Sequence, residues 1–313
     1  MAEKGKHAYL IMAHNNFEEL GMLIDVLDND RTDIFVHIDK RAGLSDFSSL
    51  EKHAKKSSIE IFSTRAVYWG DYSQTQVEID LLEKAHNHDR YEYYHLISNA
   101  DFPTAPQEKI LAFFDQNKGK EFISFRFPMN LWPFNKKIYN TEHKYYHVLT
   151  KYLRTGHKVR DKIVYAIEYI CVFFQFLCRV DRVKGEFVSA KGSQWWSITN
   201  DFAEYVLSKK NWLDKHFKMA RSGDEAWPAI LVYNSKFKDN LFDKKYDCSN
   251  YANQRYIDWE RGFPYTFKID DYKEIMESGF PFVRKVDMRC DGGLVEKLYS
   301  NILNEQNKIP KDK

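Results

Sequence analysis

The chain has no long apolar run at its start. In MAEKGKHAYLIMAH the apolar stretch is too brief for a signal peptide or a membrane anchor, so a cytoplasmic setting is expected. It has few cysteines. Cys171, Cys178, Cys248 and Cys290 are scattered and form no C-x-x-C, which argues against a disulfide framework or a zinc site. Free buried thiols in a reducing compartment are expected instead. Charge of one sign is also missing. With 47 Lys+Arg against 45 Asp+Glu, the net charge of +2 calls for no nucleic-acid partner, and no arginine-rich helix is seen. No G-x-G-x-x-G follows the first apolar run, and no G-x-x-x-x-G-K-[ST] occurs, so the two common phosphate-binding loops are absent. H-E-x-x-H, EF-hand loops, repeats and low-complexity tracts are absent as well.

What is there suits one large domain: 313 residues, 43% hydrophobic and 16% aromatic, enough for a real core. Surplus Tyr and Trp can line sugar or nucleotide sites, although aromatics also fill cores.

The first 125 residues alternate. Strands are expected at 7–13, 33–39, 59–64, 93–98 and 121–125, with helices at 16–29, 73–88 and 106–117. Such alternation gives an α/β fold, a mostly parallel sheet flanked by helices. Ligands of these sheets sit beyond the carboxyl ends of the strands. That directs attention to His14, Asn15, Asp39, Lys40, Tyr68–Tyr72 and Asn99–Asp101. Further on, a strand is expected in 192–200 and a helix at 201–209.

Between them, KYLRTGHKVRDK (151–162) is basic, and IVYAIEYICVFFQFLC (163–178) is apolar nearly all round. Glu168 and Gln175 interrupt it seven residues apart, on one helical stripe, which argues against a spanning helix. A buried core helix is the expected reading. The alternative is a peripheral docking element, with cations meeting anionic headgroups and an aromatic face entering the interface.

Asp224 and Glu225 stand together in R-S-G-D-E-A-W-P-A-I-L-V. Ser222-x-x-Glu225 has capping-box spacing. Pro228 weakens that reading, because in a helix begun at Ser222 its missing N–H would break an interior bond. A helix begun near Glu225 or Ala226 places Glu225 at its mouth, beside Trp227, where a carboxylate can serve as a general base. Spacing alone leaves both readings open. Arg255, Arg284 and Lys285 form a late basic set, and cations converging on a cleft would neutralise a pyrophosphate. The only D-x-D, Asp28-Asn29-Asp30, precedes the second strand, at the wrong end of the sheet for a ligand, and reads as a helix-ending turn. Asn99 and Asp101 have the spacing but only one carboxylate, less than a hard dication usually takes.

Eight segments, in order, carry a family likeness: AYLIMAHNN, IFVHIDKR, VYWGDYS, YYHLISNADFPT, GSQWWSIT, SGDEAWPAIL, RYIDW and FPFVRKVD. The chain resembles the core-2/I-branching β-1,6-N-acetylglucosaminyltransferases, which include the peptide O-xylosyltransferases, and looks most like the short bacterial members. The resemblance implies a GT-A-like fold and metal-independent, inverting transfer from a nucleotide sugar, with no cofactor. It implies that Glu225 is the catalytic base, with Gly223 where the family has proline. It implies donor diphosphate contacts from Arg255 and Lys285, with His14 and Asp39 on the nucleotide side. Asp101, Trp195, Trp196, Asp224 and Trp227 are the cleft or acceptor candidates. The expected partners are a nucleotide sugar, such as UDP-N-acetylglucosamine, and a glycan acceptor, lipid-linked in one version, in bacterial surface polysaccharide assembly. One domain spans 1–313: a nucleotide-binding half (1–125), an acceptor- or membrane-facing insertion (126–190), and a catalytic and diphosphate-binding half (191–313). A glycoside hydrolase or a non-catalytic carbohydrate-binding protein is the alternative. Animal members carry an N-terminal anchor and several disulfides; neither is expected here.

Overall fold

The computed structural model describes residues 5–127 and 142–308. Its centre is a five-stranded sheet of order β3-β2-β1-β4-β8, with β1 His7–Ala13, β2 Thr32–Ile38, β3 Ile59–Phe62, β4 Tyr93–Ser98 and β8 Ser197–Thr199. The first four strands are parallel; β8 pairs antiparallel with β4. The expected α/β architecture, a mainly parallel sheet flanked by helices, is present. Both faces of β1 and β2 are covered, so their central residues, Ala8 to Ile11 and Ile34 to Val36, are apolar throughout. Helices Phe17–Leu27 and Met288–Gln306 close one face, with Leu20, Leu23, Leu294 and Leu298 in its core. Helix Tyr72–His88 covers the other, with Val77, Leu81 and Leu82 packed against Trp196 and Trp227. Its start is fixed by Asp71, whose side chain accepts from the Ser73 amide. A smaller sheet, β5 (Asp101–Pro103), β10 (Phe282–Arg284) and β9 (Arg255–Ile257), brings the C-terminal basic residues beside the end of β4. β6 (Phe125–Arg126) and β7 (Lys191–Gly192) form a separate pair.

Several expectations need correcting. Residues 121–125 are not one strand: Glu121 and Phe122 make isolated bridges, to Leu241 and Ser197, and only the end joins β6. Of 192–200, just 197–199 is in the central sheet. The thiols are free but not buried; Cys178 and Cys290 are exposed. The largest correction is helix Lys158–Leu177. It is no core helix, since Glu168 is its only buried residue. No helix among the described residues is long and apolar enough to cross a membrane.

Candidate functional site

The carboxyl ends of the parallel strands carry His14, Asp39 and Asn99, as strand alternation led us to expect. His14 is exposed. Desolvation lowers the pKa of its ring, Lys285, Arg289 and Arg41 lower it further, and Asp39 opposes them. His14, Asp39 and Lys285 therefore share one electrostatic neighbourhood. Asp39 is already engaged. It accepts from the Arg41 and Val67 amides and forms a forked ion pair with the Arg41 guanidinium at 2.7 Å. Burial would raise its pKa, but these bonds outweigh that and hold it below the usual value.

Asp101 is wholly buried and accepts from Ser98 and from Arg284 Nη1 at 2.8 Å. Arg284 in turn lies over Trp195, 4.2 Å from the ring centroid. Its fork therefore ties the end of β4 to Trp195, a role that the sequence did not suggest. Arg255 is placed differently from expectation. It is fully buried, and its guanidinium donates to the carbonyls of Asn253 and Trp196 and to Ser197 Oγ. Burial lowers its pKa to about 10. A diphosphate has no access to it here. Trp196 and Trp227 are likewise core residues, packed edge to face at 5.9 Å, not cleft walls.

The acid pair splits into two environments. Ser222 adopts a left-handed backbone (φ 49°) and its side chain caps nothing, so the capping box is not formed. A short 3-10 turn, Gly223–Glu225, leads into helix Trp227–Tyr233, with Pro228 harmless in its first turn. Asp224 points inward. Burial pushes its carboxyl up to about 8, and the charge of Glu225 adds to this. Behind it, Glu78 is raised well above the carboxylate range, by burial first and by Asp224 second. Glu78 accepts from Trp227 Nε1 at 2.6 Å and Gln194 Nε2 at 2.8 Å. Glu225 points outward, its side chain 35% exposed, and pairs with Lys191 at 2.9 Å. Lys191 also holds Glu142 at 2.7 Å. Burial disfavours the charge on Lys191, but the two glutamates outweigh it and raise its pKa. Sequence reasoning missed Lys191, Glu142 and Glu78. Lys191 lies one residue before the GSQWW segment, a signal that could have been used.

The segment after β3 joins these parts. The Val67 amide reaches Asp39, and the Gly70 carbonyl accepts from the Ser222 amide at 2.8 Å. A cleft of about 530 Å³ lies alongside, lined by Arg41, Tyr68, Trp69, Lys151, Arg154 and Arg160, among others. Among the described residues no group of three or more His, Cys, Asp or Glu could hold a metal ion. The D-x-D is a turn, as expected: Asp28 caps helix Phe17–Leu27 and accepts from the Lys56 and Ser57 amides.

An α/β sheet with an outward carboxylate–lysine pair, tied to the carboxyl end of β2 through the segment after β3, is thus the class of site. The chain belongs to the Core-2/I-Branching enzyme family, whose model matches residues 7–278. It is similar to Xylosyltransferase 2 from Canis lupus familiaris and from Homo sapiens, 20% identical to each over 311 residues. The match takes in 93% of this chain but 33% of each relative, so the chain spans about a third of their length. Among solved structures, S. aureus TarS aligns with a TM-score of 0.27 and 14% identity, over 36% of this chain and 20% of TarS. The mannosyltransferase PcManGT from Pyrobaculum calidifontis, in complex with GDP-Man and Mn²⁺, aligns with a TM-score of 0.29 and 8% identity, over 42% of this chain and 37% of that one.

Proposed function

We propose that the protein is an inverting glycosyltransferase that moves a sugar from a UDP-sugar, N-acetylglucosamine being the donor group favoured by family membership, to a glycan hydroxyl. The observation that carries this reading is the position of Glu225. It is the exposed member of the acid pair, and Lys191 Nζ holds its carboxylate in place at 2.9 Å, where an acceptor hydroxyl can reach it. Glu225 takes the proton from the acceptor hydroxyl. The hydroxyl oxygen bonds to the anomeric carbon from the face opposite the nucleotide, and the bond from that carbon to the diphosphate oxygen breaks. Lys285 stabilises the charge that grows on the leaving UDP. Arg255 acts from beneath, fixing the carbonyls of Asn253 and Trp196 behind the donor site. No metal enters this scheme. Support comes from Asp101, whose carboxylate is buried against Arg284 and Ser98 rather than offered to a dication. The setting proposed is bacterial surface polysaccharide assembly.

The test is calorimetric titration of UDP in excess EDTA, with Lys285→Ala alongside. Micromolar binding that survives EDTA and weakens at least tenfold in the variant supports the scheme. Binding only with Mn²⁺ overturns metal independence, and no binding in either condition overturns the UDP donor. A glycoside hydrolase needs two carboxylates flanking a sugar. Asp224 is too buried to be the second, but Glu142 shares Lys191 with Glu225. Sugar release from a glycan without nucleotide would favour that reading over transfer.

A further inference from the structure

Helix Lys158–Leu177 is inside out. Its polar residues Asp161, Glu168 and Gln175, spaced by sevens, share one stripe, of which Glu168 is buried and the other two are partly exposed. Glu168 is buried against His147 Nδ1 at 2.7 Å. Gln175 exchanges hydrogen bonds with the Tyr146 backbone, and Asp161 holds Thr155. The opposite stripe, Ile163, Ile167, Ile170, Phe173, Phe174 and Leu177, is 45–59% exposed. A stripe this long and apolar marks an interaction surface.

Charge identifies what covers it. Lys158, Arg160 and Lys162 are exposed on the first turns, and Lys151 and Arg154 stand just before them. Lys151, Arg154 and Arg160 also line the 530 Å³ cleft with Arg41, and no acid stands among its described lining residues. Arg154 is stacked on Trp69 at 3.5 Å, which holds it at the mouth. A second copy of the chain fits poorly, because the helix has two carboxylates to answer those cations and both are engaged, Glu168 buried against His147 and Asp161 held by Thr155. An anionic lipid surface supplies both an apolar layer and negative headgroups.

We propose that this helix lies in the plane of an anionic phospholipid bilayer, its isoleucine and phenylalanine stripe entering the acyl boundary and the basic cleft taking a headgroup phosphate. The docking goes beyond the transferase reading and needs no donor, so the two can fail separately.

The test is flotation with vesicles of phosphatidylcholine alone and of phosphatidylcholine with 30% phosphatidylglycerol, at low and high salt. Three proteins are compared: wild type, Ile167→Ser/Phe174→Ser, and Lys158→Glu/Lys162→Glu. All four positions are exposed, and equal melting curves confirm that the variants fold. Recovery of wild type on anionic vesicles is expected to fall at least tenfold in each variant and severalfold in high salt. Equal recovery of wild type and both variants overturns the proposal. So does a wild-type dimer in sedimentation, with no vesicle binding, that the apolar variant turns into monomer, since the stripe then serves a second copy.

Discussion

Asp224→Asn tests the buried side of the acid pair. The Asp224 side chain is almost wholly inaccessible, and its carboxyl is pushed from 3.8 up to about 8. Its folded pKa thus lies above the unfolded value. The stability it contributes is fully present below about pH 4 and is lost as pH rises through about 8. Between pH 5 and 7 the native protein keeps a proton that the unfolded chain has released, and one such group lowers stability by about 1.4 kcal/mol per pH unit. Asparagine keeps the shape and removes the proton. The stability difference, variant minus wild type, should therefore widen as pH rises, by up to about 3 kcal/mol over those two units and by about 1–3 kcal/mol once Glu78 shares the burden. Any change in hydrogen bonding from the amide is a constant offset and leaves the slope untouched. Urea unfolding at pH 5, 6 and 7, with stabilities extrapolated to water, reads the slope directly. Parallel pH dependences for the two proteins would show that Asp224 is ionised in the fold and would refute the reasoning.

Glu225→Gln should lower the rate of sugar transfer by about 10²–10⁴, the usual worth of a general base, while UDP affinity stays within about twofold; transfer assays and calorimetry check the two halves. Lys191→Met removes the cation that holds Glu142 and Glu225, so kcat/KM for transfer should fall severalfold while UDP affinity is kept. An unchanged kcat/KM would detach Lys191 from the base. Arg284→Ala strands the buried Asp101 carboxylate and should lower stability by about 3–5 kcal/mol, as breaking buried pairs does. Arg284→Ala/Asp101→Asn should recover much of that loss in denaturant melts.

The alternating half of the fold was legible because both faces of β1 and β2 are covered, so their apolar runs stand out against the amphipathic helices between them. The turn at Glu225 was half legible. Pro228 argued correctly against a helix begun at Ser222, but nothing local says that Asp224 turns in and Glu225 out. Helix Lys158–Leu177 shows the limit most clearly. Periodicity found the polar stripe of Glu168 and Gln175, yet it carries no sign. Polar stripes usually face water, and here the stripe faces inward because His147 and the Tyr146 backbone await it. Arg255 was misplaced for a related reason: a motif gives a residue its position in the chain, not its access to solvent. The carbonyls that hold it belong to Asn253 and to Trp196, far away in sequence.

One piece of chain explains why the parts of the site should respond together. Arg65–Gly70 follows β3, the edge strand of the sheet among the described residues. Its Arg65 carbonyl takes the Lys40 amide, its Val67 amide reaches Asp39, and its Gly70 carbonyl takes the Ser222 amide, three residues before Glu225. Between the last two, Trp69 lies under Arg154 of the basic cleft. Gly70 makes the final bond with φ at +67°, a left-handed backbone that other residues adopt only at a cost of about 1 kcal/mol. A shift of this segment on nucleotide binding would reach the turn that carries Glu225 through a single hydrogen bond. It would reach the cleft through two rings, Tyr68 under Arg41 and Trp69 under Arg154. Asp39, the turn that carries Glu225 and the basic cleft are thus linked by local contacts of one short segment.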